Sequence, residues 1–73
     1  MNYIIKNPQQ LGPLIKALRK EKGVTQASAG SQAHLNQNAV SLIESDPGSS
    51  SVQRLFNLMH ALDIEFVIRK REL

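Results

Sequence analysis

The chain has no cysteine and no tryptophan, and its 73 residues include only one tyrosine, two phenylalanines and three prolines. Without cysteine, no disulfide can brace it and no thiolate metal site can form. Metal ligation would fall to His34 and His60 with carboxylates. These histidines lie 26 positions apart and match no zinc-ligand spacing. No apolar run approaches the roughly 20 residues needed to span a bilayer, so a membrane partner is not expected. The opening Met-Asn-Tyr-Ile-Ile-Lys lacks the basic segment and sustained apolar run of a signal peptide, which makes a cytoplasmic location the expectation. There is no glycine-rich phosphate loop. Serines are plentiful, but no strained nucleophile turn or oxyanion hole accompanies them. The chain therefore reads as a non-enzyme that needs no cofactor.

What is present is a 41% hydrophobic composition and a net charge of +3. The length limits the chain to one domain, expected over residues 1–73. So small a domain buries a low fraction of its surface, and oligomerisation is the remaining common stabiliser. A mild positive charge favours an anionic partner without choosing among nucleic acid, anionic membrane and acidic protein.

Tyr3, Ile4 and Ile5 are β-favouring and read as a short terminal strand. Asn7-Pro8-Gln9-Gln10 then reads as a helix start, with Asn7 as cap, Pro8 at the first position and Gln10 reaching back. Leu11, Leu14, Ile15 and Leu18 mark one face of that helix, Lys16, Arg19, Lys20 and Lys22 fill the rest, and Gly23 ends it. Thr25 caps a second helix from Gln26 to about Ala33. His34-Leu35-Asn36 leaves room only for a tight turn, after which Asn36 caps a third helix from Gln37 to about Ser45. The stretch from Asp46 to Ser51 is a loop by composition. Ser50 with Gln53 offers a capping box for a fourth helix, whose stripe of Val52, Leu55, Phe56, Met59 and Leu62 reads as core. From Ile64 the period changes. Residues 65–70 read as a strand with Phe66 and Ile68 on one face and Val67 on the other.

The informative stretch runs from about residue 25 to residue 45. Two short capped helices joined by a tight turn form a helix-turn-helix. Each is too short to bury a stripe alone and must pack on its neighbours, leaving one face of the second helix of the pair free. A helix fits the DNA major groove, and that face carries Gln37, Asn38 and Ser41. Gln and Asn can pair bidentately with adenine, and Ser with several base edges.

Gly23-Val24-Thr25-Gln26 and Leu35-Asn36-Gln37-Asn38-Ala39-Val40-Ser41-Leu42-Ile43-Glu44 resemble the phage-repressor (Cro/C1, or XRE) helix-turn-helix family, with matching spacing over about residues 9 to 63. The resemblance implies an all-α, four-helix, lambda-repressor-like domain. The flanks, Tyr-Ile-Ile-Lys-Asn-Pro-Gln-Gln-Leu-Gly and Leu-Asp-Ile-Glu-Phe-Val-Ile-Arg-Lys, are similar to those of HipB-type antitoxins. That likeness implies a bacterial homodimer that binds double-stranded operator DNA, represses its own operon and binds a HipA-like Ser/Thr kinase toxin. It also implies that the terminal strand, with Phe66, Val67 and Ile68, pairs across the dimer. The alternative is a stand-alone repressor or activator of the same family with no toxin partner.

Position by position, the resemblance makes Gln37, Asn38 and Ser41 base readers and places Gln26, Thr25 and Asn36 on the DNA backbone. Lys22 and Arg54 are further candidates for phosphate. The cluster of Lys16, Arg19, Lys20 and Lys22 can equally be a solvated helix face. Arg69-Lys70-Arg71 can be a solubilising tail that blunts a strand edge or a contact with DNA or protein. Glu44 reads as structural, paired with a nearby Arg or Lys. Two positions depart from the family pattern. His34 stands where the turn usually has Gly and must tolerate any positive φ there. Gly30 replaces the usual Ala, at roughly 1 kcal/mol of helix propensity.

Overall fold

The computed structural model describes residues 2–71. Met1, Glu72 and Leu73, at the ends of the expected domain, lie outside the described residues. A 3₁₀ turn at Pro8–Gln10 leads into α1 (Leu11–Lys22). Then come α2 (Gln26–Ala33), α3 (Gln37–Ser45), a second 3₁₀ turn at Pro47–Ser49 and α4 (Val52–Ala61).

The boundaries follow from local chemistry. Gln10 Oε1 accepts from the backbone N–H groups of Lys6 (2.5 Å) and Asn7 (3.3 Å), the reach-back that its spacing predicts. Gly23 closes α1 in the left-handed region, with φ 78°. Thr25 Oγ1 accepts from Ser28 N–H at 3.1 Å, and Asn36 Oδ1 from Ala39 N–H at 2.8 Å, so both predicted caps form. His34 ends α2 at φ 59°, the left-handed conformation that the departure from Gly requires it to hold. The cap of α4 is Ser51 and not the expected Ser50: Ser51 Oγ accepts from Arg54 N–H at 3.1 Å. A run of consecutive serines gives no propensity reason to prefer one of them.

The core is formed by Ile15 of α1, Ala29 and Ala33 of α2, Val40 and Ile43 of α3, and Leu55, Leu58, Met59 and Leu62 of α4 and its end. Helix α2 packs on both α3 and α4, while α1 packs on α3. The small residues Ala29, Gly30 and Ala33 let α2 approach closely: a Cβ on Gly30 would stand 2.6 Å from the Leu35 carbonyl oxygen. Two positions of the expected α4 stripe are exposed, Val52 at 69% and Phe56 at 50%. The buried arc is rotated toward Leu58, which lies outside the expected stripe.

Arg19 is a further correction. Expected among the surface cations, it is buried at 7%. Its Nε donates to Glu44 Oε2 at 2.6 Å, Nη2 to Glu44 Oε1 at 3.2 Å, and Nη1 to the Val24 carbonyl at 2.8 Å. Glu44 is thus the structural partner that the sequence reading anticipated, and it ties α3 to α1 across the motif.

Neither expected strand is present among the described residues. Tyr3–Ile5 and residues 64–71 have no regular structure. A strand needs a neighbouring backbone to satisfy its N–H and C=O groups, and the two segments do not supply one to each other. Asp63, at φ 58°, turns the chain after α4, and Ile64 N–H bonds back to the Met59 carbonyl at 2.8 Å. Phe66 then rests on Phe56 with ring centroids 4.9 Å apart, while Val67 and Ile68 are exposed.

Candidate nucleic-acid interface

The candidate surface is the outer side of α3. Successive helical residues are about 100° apart, so Gln37, Ser41, Ser45, Asn38 and Leu42 fall within an arc of about 140°. All five are exposed, while Val40 and Ile43 on the opposite side are buried, and Glu44, next to Gln37 around the helix, is buried beneath its bonds with Arg19 and Gln26. Burial of that side fixes the rotation of the helix. The three expected base readers, Gln37, Asn38 and Ser41, are therefore brought together on one outward face. Sequence reasoning passed over Leu42 and Ser45. Counting around the helix from Val40 and Ile43 would have found both. The Ser45 hydroxyl bonds back to the Ser41 carbonyl at 2.9 Å, a common use of Ser near a helix end.

The residues expected on the DNA backbone divide into four groups. Thr25 and Asn36 spend their side-chain oxygens as caps, and each is exposed at the first turn of its helix, α2 and α3 respectively. Gln26 is half-buried. Its Nε2 donates to Glu44 Oε1 at 3.1 Å, so the amide is tethered to the buried ion pair and keeps one N–H and its carbonyl oxygen for another partner. Lys22, at the end of α1, pairs through its Nζ with the Asp63 carboxylate. Hydrogen bonding and charge from that ammonium hold the Asp63 carboxyl below its ordinary value. Arg54 is exposed in the first turn of α4. Of the expected dimer strand, Phe66, Val67 and Ile68 all lie at the surface beyond α4.

Among the described residues no group of His, Asp and Glu is placed to hold a metal ion. No helix there is long and apolar enough to cross a membrane. Every buried side-chain polar atom among them has a partner, so the interior holds no unsatisfied group awaiting a ligand.

Four short helices, the middle two capped and joined by a tight turn with a polar outer face, define a small helix-turn-helix domain. The family model described as helix-turn-helix matches residues 15–68, and the chain belongs to that family. No curated protein sequence matches it. Solved structures do. The structure described as a HipA–HipB–O2–O3 complex aligns with a TM-score of 0.91 at 21% identity, covering 97% of this chain and 100% of that one. A HipB variant in a HipB–O2 20-mer complex aligns at 0.91 and 22% identity, covering 99% and 100%. A HipB–O4 20-mer complex aligns at 0.90 and 21%, covering 97% and 100%. At these identities the likeness establishes a HipB-like fold.

Proposed function

We propose that the chain is a sequence-specific regulator that binds double-stranded operator DNA as a homodimer. The observation that carries this reading is the outer face of α3: amide and hydroxyl side chains stand outward while the rest of the helix is locked into the core. In this reading Gln37, Asn38 and Ser41 contact base edges. Gln26, Thr25, Asn36, Lys22 and Arg54, with backbone N–H groups at the start of α2, position the domain on phosphates. Phe66, Val67 and Ile68 complete a strand only when a second copy supplies its neighbour, which explains why the segment is unpaired in one chain. A symmetric dimer would set two α3 helices about one turn of DNA apart on a palindromic site. Occlusion of a promoter by such a dimer gives repression, and a cytoplasmic location suits the role.

The match to HipB in a complex with HipA supports a further partner, a HipA-like Ser/Thr kinase whose toxicity this chain would neutralise. A stand-alone repressor or activator of the same fold is the competing reading. A gel shift against the DNA upstream of the chain's own gene, with sedimentation of the free protein, tests the core of the proposal. Retarded bands on that duplex and a dimer in solution are expected. A monomer that shifts every duplex equally would refute it.

A further inference from the structure

We propose that α3 reads A·T base pairs, with Leu42 packing on a thymine C5-methyl group at the edge of the contact. The inference rests on the DNA-reading role proposed above and names the bases that role would select.

No lysine or arginine occurs between Lys22 and Arg54, so the whole helix-turn-helix motif is free of cations. Guanine offers two acceptors, N7 and O6, to the major groove, and its usual reader is a bidentate cation. Cytosine offers an N4 donor, which a carboxylate accepts. The motif's only carboxylates are Glu44 and Asp46. Glu44 is buried and held by Arg19 and Gln26. Asp46 lies beyond the end of α3, where its carboxylate accepts from Ser49 at 2.5 Å. Neither edge of a G·C pair thus finds its charged partner on this helix. Adenine presents one acceptor, N7, beside one donor, N6, and the neutral amides of Gln37 and Asn38 present the complementary pair.

Leu42 is 39% exposed and lies one helical turn beyond Asn38 at the margin of the same arc. In a groove lined by polar base edges and phosphates, the thymine C5-methyl is the apolar group that a leucine can cover. Ser45 donates its hydroxyl proton to the Ser41 carbonyl, so it can offer a base only an acceptor.

Selection of bound duplexes from a randomised library by the full chain tests the proposal. Positions under α3 are identified as those whose base preference relaxes in Gln37→Ala or Asn38→Ala. A·T pairs are expected there. Replacing thymine by deoxyuridine at each of those positions in turn should weaken binding by about fourfold at the one whose methyl Leu42 covers, and Leu42→Ala should abolish that sensitivity. G·C pairs at the Gln37- or Asn38-dependent positions would overturn the inference while leaving sequence-specific binding intact. Selection that yields no consensus would sink the DNA-reading role and this inference together. Deoxyuridine sensitivity that persists undiminished in Leu42→Ala would remove Leu42 from the contact.

Discussion

Replacing Arg19 with Met removes the cation that neutralises a buried carboxylate and leaves the rest of α1 intact. Glu44 is only 8% exposed and takes two hydrogen bonds from Arg19, at 2.6 and 3.2 Å. In Arg19→Met it would retain only the Gln26 amide, and the Val24 carbonyl would also lose its donor. Breaking a buried pair by removing one partner costs about 3–5 kcal/mol, because the surviving charge stays desolvated. A chain of this length has a total stability on the order of 4–11 kcal/mol, so the substitution should remove a large share of it. At about 4–8 °C per kcal/mol for a domain of this size, the melting midpoint should fall by at least about 12 °C. The assay is thermal and urea unfolding followed by circular dichroism at one fixed protein concentration, since a dimer of the kind proposed above would make stability concentration-dependent. Arg19→Met combined with Glu44→Leu removes both charges and should recover much of the loss, because an apolar replacement of a buried pair is often neutral. A loss below about 1 kcal/mol in Arg19→Met, or a double variant no better than the single one, would refute the reasoning.

Four further outcomes follow from named contacts. His34→Gly relieves a left-handed residue at the turn and should raise stability by about 0.5–1 kcal/mol in thermal unfolding; an unchanged or lower midpoint would contradict the strain. Gly30→Ala should destabilise by about 1–3 kcal/mol despite its better helix propensity, because the new Cβ meets the Leu35 carbonyl oxygen; a more stable variant would show that α2 can move away. Asn36→Ala loses the cap of α3 and should cost about 1 kcal/mol by urea unfolding, and a silent substitution would count against the cap. The lowered Asp63 carboxyl contributes stability that is present above its unfolded-state value and lost as pH falls through its folded-state value. NMR titration should find its midpoint below the ordinary carboxylate value, returning toward it in Lys22→Ala; a midpoint unmoved by that substitution would exclude the ion pair.

Much of this fold is written in short-range chemistry. Thr25 and Asn36 each precede a run that can use a side-chain acceptor at its first turn, and both form the bonds expected of them. The outer face of α3 was equally accessible, because Val40 and Ile43 fix which side goes inward. What escaped depends on distant partners. Arg19 sits among surface lysines in sequence, and only the position of Glu44, 25 residues away, draws it inside. Val52 and Phe56 continue the apolar period of α4, yet periodicity does not say whether the chain itself covers that stripe. Gly30 reads as a weak helix residue, whereas its missing Cβ is what admits the turn carbonyl. The terminal strands illustrate the same limit: Tyr3–Ile5 and Phe66–Ile68 have the composition for pairing, but pairing requires another backbone.

The most direct measurement compares wild type with Gln37→Ala on a selected operator duplex and on a scrambled duplex of equal length and composition, at one stated salt concentration. If α3 reads bases through its outward amides, the variant should lose roughly 1–3 kcal/mol on the operator alone, so that the ratio between the two affinities collapses by about one to two orders of magnitude. Equal losses on both duplexes, or none on either, would contradict a base-reading role for this face.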